Sequence, residues 1–200
     1  MSFRTEEKIF IHQNNYIEFK SLLKSLNAKI LYPKRIVHSV YFDNYKSQMF
    51  IDSQEGSVIR KKIRIRDYPE TKKNSFNLEI KISSIEGRFK KSKKIKKGEY
   101  DSYLKKGYLD NYYGKCMPKL EVFYMREYYL YKNYLRVTID KNILYKKFKN
   151  SKKILKEKLI ACEIKSNFSI NKSLILNDFP FISHRFSKYA SAYQKLYNVN

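Results

Sequence analysis

"IRKKIRIRDY", residues 59–68, is the stretch that decides how this chain folds. Arg60, Lys62, Arg64 and Arg66 occupy alternate positions. Successive side chains of an extended strand point to opposite faces, so in a strand these four cations line up on one side. Ile59, Ile63 and Ile65 fall on the other side, together with Lys61. A row of like charges repels itself, so the row needs a reason.

The same alternation recurs along the chain. Arg4, Glu6 and Lys8 alternate in "RTEEK", Glu79 and Lys81 in "LEIK", and Arg88 and Lys90 in "GRFK". Tyr124 and Arg126 alternate in "FYMRE", Arg136, Thr138 and Asp140 in "LRVTIDK", and Glu163 and Lys165 in "CEIK". Ile80, Val137, Ile139, Cys162 and Ile164 stand between them. For any single strand, an ordinary antiparallel sheet with its charged face in water accounts for the pattern. For the set it does less well, because cations directly opposite one another on neighbouring strands are destabilising. A sheet closed with its charged face inward accounts for more. Buried cations are costly unless paired, so such an interior makes sense when it holds an anion. Arginine suits bidentate phosphate contacts and lysine supplies point charges. Interior glutamates become useful when a divalent metal sits between them and phosphate oxygens.

Periodicity gives about eight extended segments: 4–12, 36–43, 56–67, 75–83, 87–96, 118–130, 133–140 and 158–166. Three helices interrupt them. The first spans 15–27, capped by Asn14 or Asn15, with Phe19, Leu22, Leu23 and Leu26 at helical spacing. The second spans 102–113, capped by Asp101 or Ser102 and stopped near Gly114. The third spans 183–197, with Phe186, Tyr189, Ala190, Tyr193 and Leu196 on one stripe. The basic segment 141–157 reads as a connection, either a short helix or a loop. The fold class expected is mainly β (α+β), a sandwich or a closed barrel, since closure removes vulnerable edges. No linker breaks the 200 residues, so residues 1–200 are expected to form a single domain.

The net charge is +24, from 43 Lys and Arg against 19 Asp and Glu, which points to a polyanionic partner. A composition rich in Lys, Ile, Tyr and Asn is also what an AT-rich genome yields, so charge alone does not name that partner. Cys116 and Cys162 form no CxxC pair, which fits free thiols in a reducing cytoplasm. "MSFRTEEKIFIHQ" has no apolar core of a signal peptide, and no uncharged apolar run reaches the roughly 20 residues that cross a bilayer. A cytoplasmic location is therefore expected, with any membrane role left to a membrane-protein partner. Five glycines effectively exclude a P-loop or dinucleotide fold. No zinc-finger, helix-turn-helix or RNP-like signature supports specific nucleic-acid binding, despite 19 Tyr and 13 Phe. His12, His38 and His184 lack metal-ligand spacing and read as structural.

These motifs, taken in order, resemble the VTC domain, the polyphosphate-polymerase branch of the CYTH-like triphosphate tunnel metalloenzyme superfamily. "RTEEK" is similar to the family's first strand and "SVYFDN" (39–44) to its S-x-YFD segment. "KIRIRDY" resembles its R-x-R strand and "LEIK" its E-x-K strand. "YMR", "LRVTID" and "CEIK" resemble later strands, and "FSKY" (186–189) resembles the SKY motif of the C-terminal helix. After that motif the family usually continues with a small residue, often Gly, where this chain has Ala190, Ser191 and Ala192. The resemblance implies an eight-stranded antiparallel β-barrel forming a tunnel, with about three flanking helices. It implies that Lys8, Arg64, Arg66, Lys81, Lys90, Arg126, Arg136 and Lys188 bind phosphate, with Lys90 assigned over Arg88 and Lys91. Of these, Lys8, Arg64, Arg66, Lys81, Arg126 and Arg136 would also serve catalysis. Glu163 takes the metal-ligand role for Mn²⁺ or Mg²⁺, helped by Glu6 or Glu79.

The implied activity is transfer of the terminal phosphoryl group of a nucleoside triphosphate, ATP by expectation, to a growing polyphosphate chain. Triphosphatase and class IV cyclase relatives typically show E-x-E-x-K in the first strand, where this chain has Arg4 in place of the first Glu. One carboxylate fewer argues for the polymerase branch. A tunnel triphosphatase and a non-catalytic triphosphate or polyphosphate sensor are the alternatives. Glu163 favours an enzyme, since a pure anion binder has no use for that carboxylate.

Overall fold

Alternating apolar and charged residues become strands almost throughout. The computed structural model describes residues 6–71, 75–149, 153–166, 171–182 and 186–199. Its elements, in chain order, are β1 (Glu6–His12), α1 (Tyr16–Ser25), β2 (Lys29–Asp43), α2 (Gln48–Glu55), β3 (Arg60–Asp67), β4 (Phe76–Ser84), β5 (Gly87–Ile95) and α3 (Lys97–Lys106). They continue with β6 (Tyr108–Asp110), β7 (Gly114–Tyr131), β8 (Leu135–Lys147), β9 (Ile154–Lys156), β10 (Leu159–Ser166), α4 (Lys172–Asp178) and α5 (Lys188–Tyr197).

The residues group into two compact units. The first contains Met1–Arg35, Tyr124–Ile143 and Lys156–Phe186; the second contains Ile36–Phe123, Leu144–Leu155 and Ser187–Asn200. In the first unit β1 pairs antiparallel with β10, and β10 with β8. One face of these strands carries Ile9, Ile11, Val137, Ile139, Ile160, Cys162 and Ile164, all buried. Phe19 and Leu23 of α1, and Ile175 and Phe179 at α4, complete the same apolar cluster. Burying a large aliphatic or aromatic side chain contributes about 1.5–3 kcal/mol, so this face holds α1 in place.

In the second unit β2, β3, β4 and β5 form an antiparallel run. Val40 and Phe42 face Ile65 and Ile63, which in turn face Leu78 and Ile80. Lys61, the β3 cation on this apolar face, reaches Asp110 at 2.9 Å. Helix α5 buries Tyr189, Ala190, Tyr193 and Leu196, and the Tyr193 ring stacks on Phe50 of α2 with centroids 4.2 Å apart. Both cysteines are buried free thiols, and burial pushes the Cys116 thiol up to about 12.

The mainly antiparallel β fold with a C-terminal helix is as expected. Closure is corrected: among the described residues there are ten strands rather than eight, and the sheet is not closed. In the first unit β1 has only β10 as a strand neighbour, and in the second β5 has only β4. Among the described residues five α-helices replace the three expected. The run expected to be extended from 56 starts at Arg60, because Gly56 ends α2 at φ 77° and Ile59 turns left-handed at φ 66°. The second expected helix lies earlier, at α3. The Glu99 carboxylate accepts the Lys96 N–H at 2.9 Å to start it, and Gly107, at φ 82°, ends it. A Cβ at Gly107 would meet the Cys116 carbonyl oxygen at 2.6 Å, so the turn needs glycine. The basic connection is mostly strand, since β8 runs to Lys147 and β9 follows. Residues 150–152 of that segment, 183–185 of the third expected helix, and Arg4 and His184 lie outside the described residues.

Candidate functional site

The cation row of the opening stretch stays together in the second unit. Register sets Tyr41 opposite Arg64 and Arg64 opposite Glu79; the next row pairs Ser39 with Arg66 and Arg66 with Asn77. One step the other way, Lys62 faces Lys81 and Lys81 faces Lys90. Glu79 is therefore the only acid on this face of β3, β4 and β5. Arg88 shares the face, while Lys91 lies opposite Ile80 on the other face.

Three of the cations converge on Glu79. Arg64 Nε and Nη2 reach Oε2 at 2.7 and 2.6 Å, and Arg66 Nη1 lies 3.8 Å from the same oxygen. Lys90 Nζ donates to Oε1 at 2.5 Å. Arg64 Nη1 donates to Tyr41 Oη at 2.9 Å. Burial alone would raise the Glu79 carboxyl, but the charges of Arg64, Arg66 and Lys90 outweigh it and hold it well below the usual carboxylate range. Burial lowers the Lys90 ammonium, and Arg64 and Arg66 add to that, against the pull of Glu79. Lys188 opens α5 next to Ser187, whose hydroxyl accepts from Lys62 Nζ at 2.8 Å.

The first unit presents a different face. Glu6 lies opposite Lys165, which lies opposite Arg136; Lys8 lies opposite Glu163, which lies opposite Thr138. Lys8 Nζ is 3.1 Å from Glu6 and donates to the Phe186 carbonyl at 3.2 Å. Lys165 Nζ is 3.0 Å from Glu163 and 3.6 Å from Glu6. Arg126 grips Asp140 through Nε and Nη2 at 2.5 and 2.6 Å, and its guanidinium lies 5.2 Å from the Tyr124 ring centroid. Burial would lower Arg126, but Asp140 outweighs it and the guanidinium stays protonated. Arg136 is half-buried, and its side chain makes no hydrogen bond or ion pair with another described residue.

The predicted residues thus fall into two groups. Arg64, Arg66, Glu79, Lys81, Lys90 and Lys188 belong to the second unit; Glu6, Lys8, Arg126, Arg136 and Glu163 belong to the first. Glu79 holds the guanidinium groups of Arg64 and Arg66 as well as Lys90, whereas Glu6 pairs with Lys8 and Lys165. Glu6 and Glu163 share Lys165 and lie on one face of adjacent strands, which fits a hard cation. A magnesium-class ion is held by one or two carboxylates, with waters and phosphate oxygens filling the rest. No group of three or more His, Cys, Asp or Glu forms a closed metal cage among the described residues. His38 is engaged at Nδ1 by Asp67, 2.7 Å away, and stacks on Phe123, while His12 is exposed.

Sequence reasoning left out three participants. Asp140 was visible in the alternating run, but its pairing with Arg126 depends on where β7 and β8 turn. Lys62 was visible in the opening row, and only strand register sets it against Lys81 and Lys90. Tyr41 lay inside "SVYFDN" with no sequence signal for its bond to Arg64.

Solved structures share this fold. A candidate adenylate cyclase from Bacillus halodurans matches with a TM-score of 0.61 at 12% identity, over 93% of this chain and 94% of that one. The PH1819 protein of Pyrococcus horikoshii OT3 matches at 0.58 and 16% identity, over 96% and 99%. A candidate adenylyl cyclase from Hippeastrum, described as having a dominant triphosphatase activity, matches at 0.55 and 14% identity, over 96% of each chain. No curated protein matches the sequence. The profile of the VTC domain matches residues 3–197, nearly the whole chain, and the chain therefore belongs to the VTC domain family.

Proposed function

We propose that this chain is a metal-dependent polyphosphate polymerase that takes the terminal phosphoryl group from a nucleoside triphosphate, ATP in the first instance. The observation that carries the reading is the face of β3, β4 and β5, where Lys62, Arg64, Arg66, Lys81 and Lys90 lie together with a single carboxylate, Glu79. Such an excess of cations on one face favours a multiply charged anion. Membership of the VTC domain family supports the same direction.

A terminal phosphate oxygen of the polyphosphate chain attacks the γ-phosphorus. The bond from that phosphorus to the β-bridging oxygen breaks, and nucleoside diphosphate leaves. The nucleophile is already anionic, so no general base is needed. Positioning and charge stabilisation carry the chemistry. Arg64 and Arg66 offer planar donors to phosphate oxygens, and Lys81, Lys90 and Lys188 supply point charges. Lys8, Arg126 and Arg136 do the same in the first unit. Glu163 with Glu6 would hold a divalent ion, Mn²⁺ or Mg²⁺, which would supply charge neutralisation to a bound phosphoryl group. The cytoplasm, with its ATP and reduced thiols, is the proposed location. No helix among the described residues is long and apolar enough to cross a membrane.

Hydrolysis is the second reading, supported by the triphosphatase activity described for the Hippeastrum protein. One incubation separates the two. With ATP and Mn²⁺ or Mg²⁺, a polymerase yields a polyphosphate ladder and ADP, a triphosphatase yields inorganic phosphate without a ladder, and a binding module yields no product. The expected result is the ladder; its absence with either metal overturns the polymerase reading.

A further inference from the structure

Two short motifs of the sequence meet inside the second unit. Asp43 closes "SVYFD" and Tyr189 closes "FSKY". Asp43 is fully buried, and its Oδ1 accepts the amide N–H groups of Asn44 and Met49 at 2.8 and 3.0 Å. Its Oδ2 accepts the Phe50 N–H at 3.1 Å and the Tyr189 hydroxyl at 2.5 Å. The Tyr189 ring, itself buried, lies close to parallel with Tyr41, at 23° and 5.3 Å between centroids. The Tyr41 hydroxyl then accepts from Arg64 Nη1 at 2.9 Å.

We propose that Asp43 and Tyr189 are positioning residues for the anion-binding face: their buried hydrogen bond fixes the Tyr189 ring, that ring fixes Tyr41, and Tyr41 aims the Arg64 guanidinium. The proposal deepens the phosphate-binding reading and rests on it. The amides of Met49 and Phe50 already give Asp43 its role in the first turn of α2. The Tyr189 hydroxyl adds nothing to that turn; it ties α5 to the end of β2. Arg64 is already held by Glu79 through Nε and Nη2, so Nη1 on Tyr41 is a separate anchor from another strand. Two partners on one planar group fix its orientation as well as its place. The arrangement also tethers Lys188 on both sides, because Ser187 takes Lys62 and Tyr189 takes Asp43. This supplies a physical reason for two motifs 146 residues apart to occur together.

Tyr189→Phe keeps the ring and deletes the bond. Its expected effect is a loss of about tenfold in metal-free triphosphate affinity by calorimetry, with the circular dichroism spectrum unchanged. In an Arg64→Ala background the same change should cost nothing further, because the two residues act along one chain of contacts. In ligand-free protein, the Arg64 Nη1–H resonance, the one that Tyr41 holds, should lose its protection from solvent exchange. A purely structural bond predicts a lower melting temperature with affinity and the Arg64 resonance both unchanged, and that result overturns the proposal. Should Tyr189→Phe fail to fold, Tyr41→Phe keeps the ring stack, deletes the Arg64 Nη1 anchor and carries the same expectations. Wild-type protein with no affinity for triphosphate would defeat the phosphate reading itself, and the Arg64 resonance would then decide the clamp alone.

Discussion

Arg126 and Asp140 form a bidentate ion pair, 2.5 and 2.6 Å across its two bonds, with the Asp140 side chain only 2% exposed. A carboxylate that deep cannot easily lose its partner. Arg126→Ala is expected to destabilise the protein by about 3–5 kcal/mol, since it removes the bidentate partner of a buried carboxylate. Arg126→Ala with Asp140→Asn should recover part of that. Urea unfolding of the two variants checks this, and equal stabilities would refute it. Removing Arg126 therefore confounds affinity with folding, whereas Glu79 binds Arg64 and Lys90 as well as Arg66, so Arg66→Ala leaves that acid compensated.

Triphosphate should raise the melting temperature of the wild-type protein, in proportion to occupancy. The repulsion among Lys62, Lys81 and Lys90, which face one another across adjacent strands, is what an anion relieves. Sodium chloride at matched ionic strength should do much less. Equal shifts from the two salts would reduce the effect to general screening.

Glu163→Gln separates metal work from anion binding. Metal-free triphosphate affinity should be retained or improve, because a negative charge leaves the face. Metal-dependent turnover should fall below detection, since the ion's contribution is made mainly in the transition state. Retained polyphosphate synthesis in this variant would remove Glu163 from the metal site.

Acid should loosen α1 through Glu127. Its carboxylate takes Tyr16 at 2.7 Å, Lys20 at 3.0 Å and Lys141 at 2.7 Å. Burial opposes ionisation, but Lys141, Tyr129, Tyr16 and Lys20 together bring the carboxyl down to about 2 from its ordinary 4.5. A carboxyl lowered on folding stabilises the protein fully above its unfolded value and loses that contribution as pH falls through the folded value. The stability gap between wild type and Glu127→Gln should be on the order of 3 kcal/mol at neutral pH and should shrink between pH 4.5 and about 2. A gap independent of pH over that interval would refute the assignment.

Much of this was legible in the sequence, for physical reasons that differ by element. Period-two alternation marked β3, β4 and β10 because one face of each is apolar and the other charged. Helix α5 was marked by Tyr189, Ala190, Tyr193 and Leu196 at helical spacing. Helix α2 gave no such stripe. It is held by Asp43 and by packing on α5, which are contacts between distant parts of the chain. Strand β2 begins at Lys29, earlier than alternation suggested, because "KILYPKR" is exposed and carries little apolar pattern. At the site, the alternation set the faces, while register set the partners. Nothing in "LEIK" distinguishes a glutamate that three cations surround from one, such as Glu163, that shares a lysine with Glu6.

The outer edge of β5 has a bearing on handling the protein in solution. Its backbone groups, which no second strand among the described residues takes, offer a template to another chain, yet Arg88, Lys90 and Lys94 on one face and Lys91 and Lys93 on the other would set cation against cation in a self-paired copy. That protection is electrostatic and has the range of the ionic atmosphere, about 10 Å at 0.1 M salt and about 3 Å at 1 M. Concentrated salt therefore strips the edge of its defence, and purification in high salt invites strand-to-strand aggregation that dilute buffer prevents.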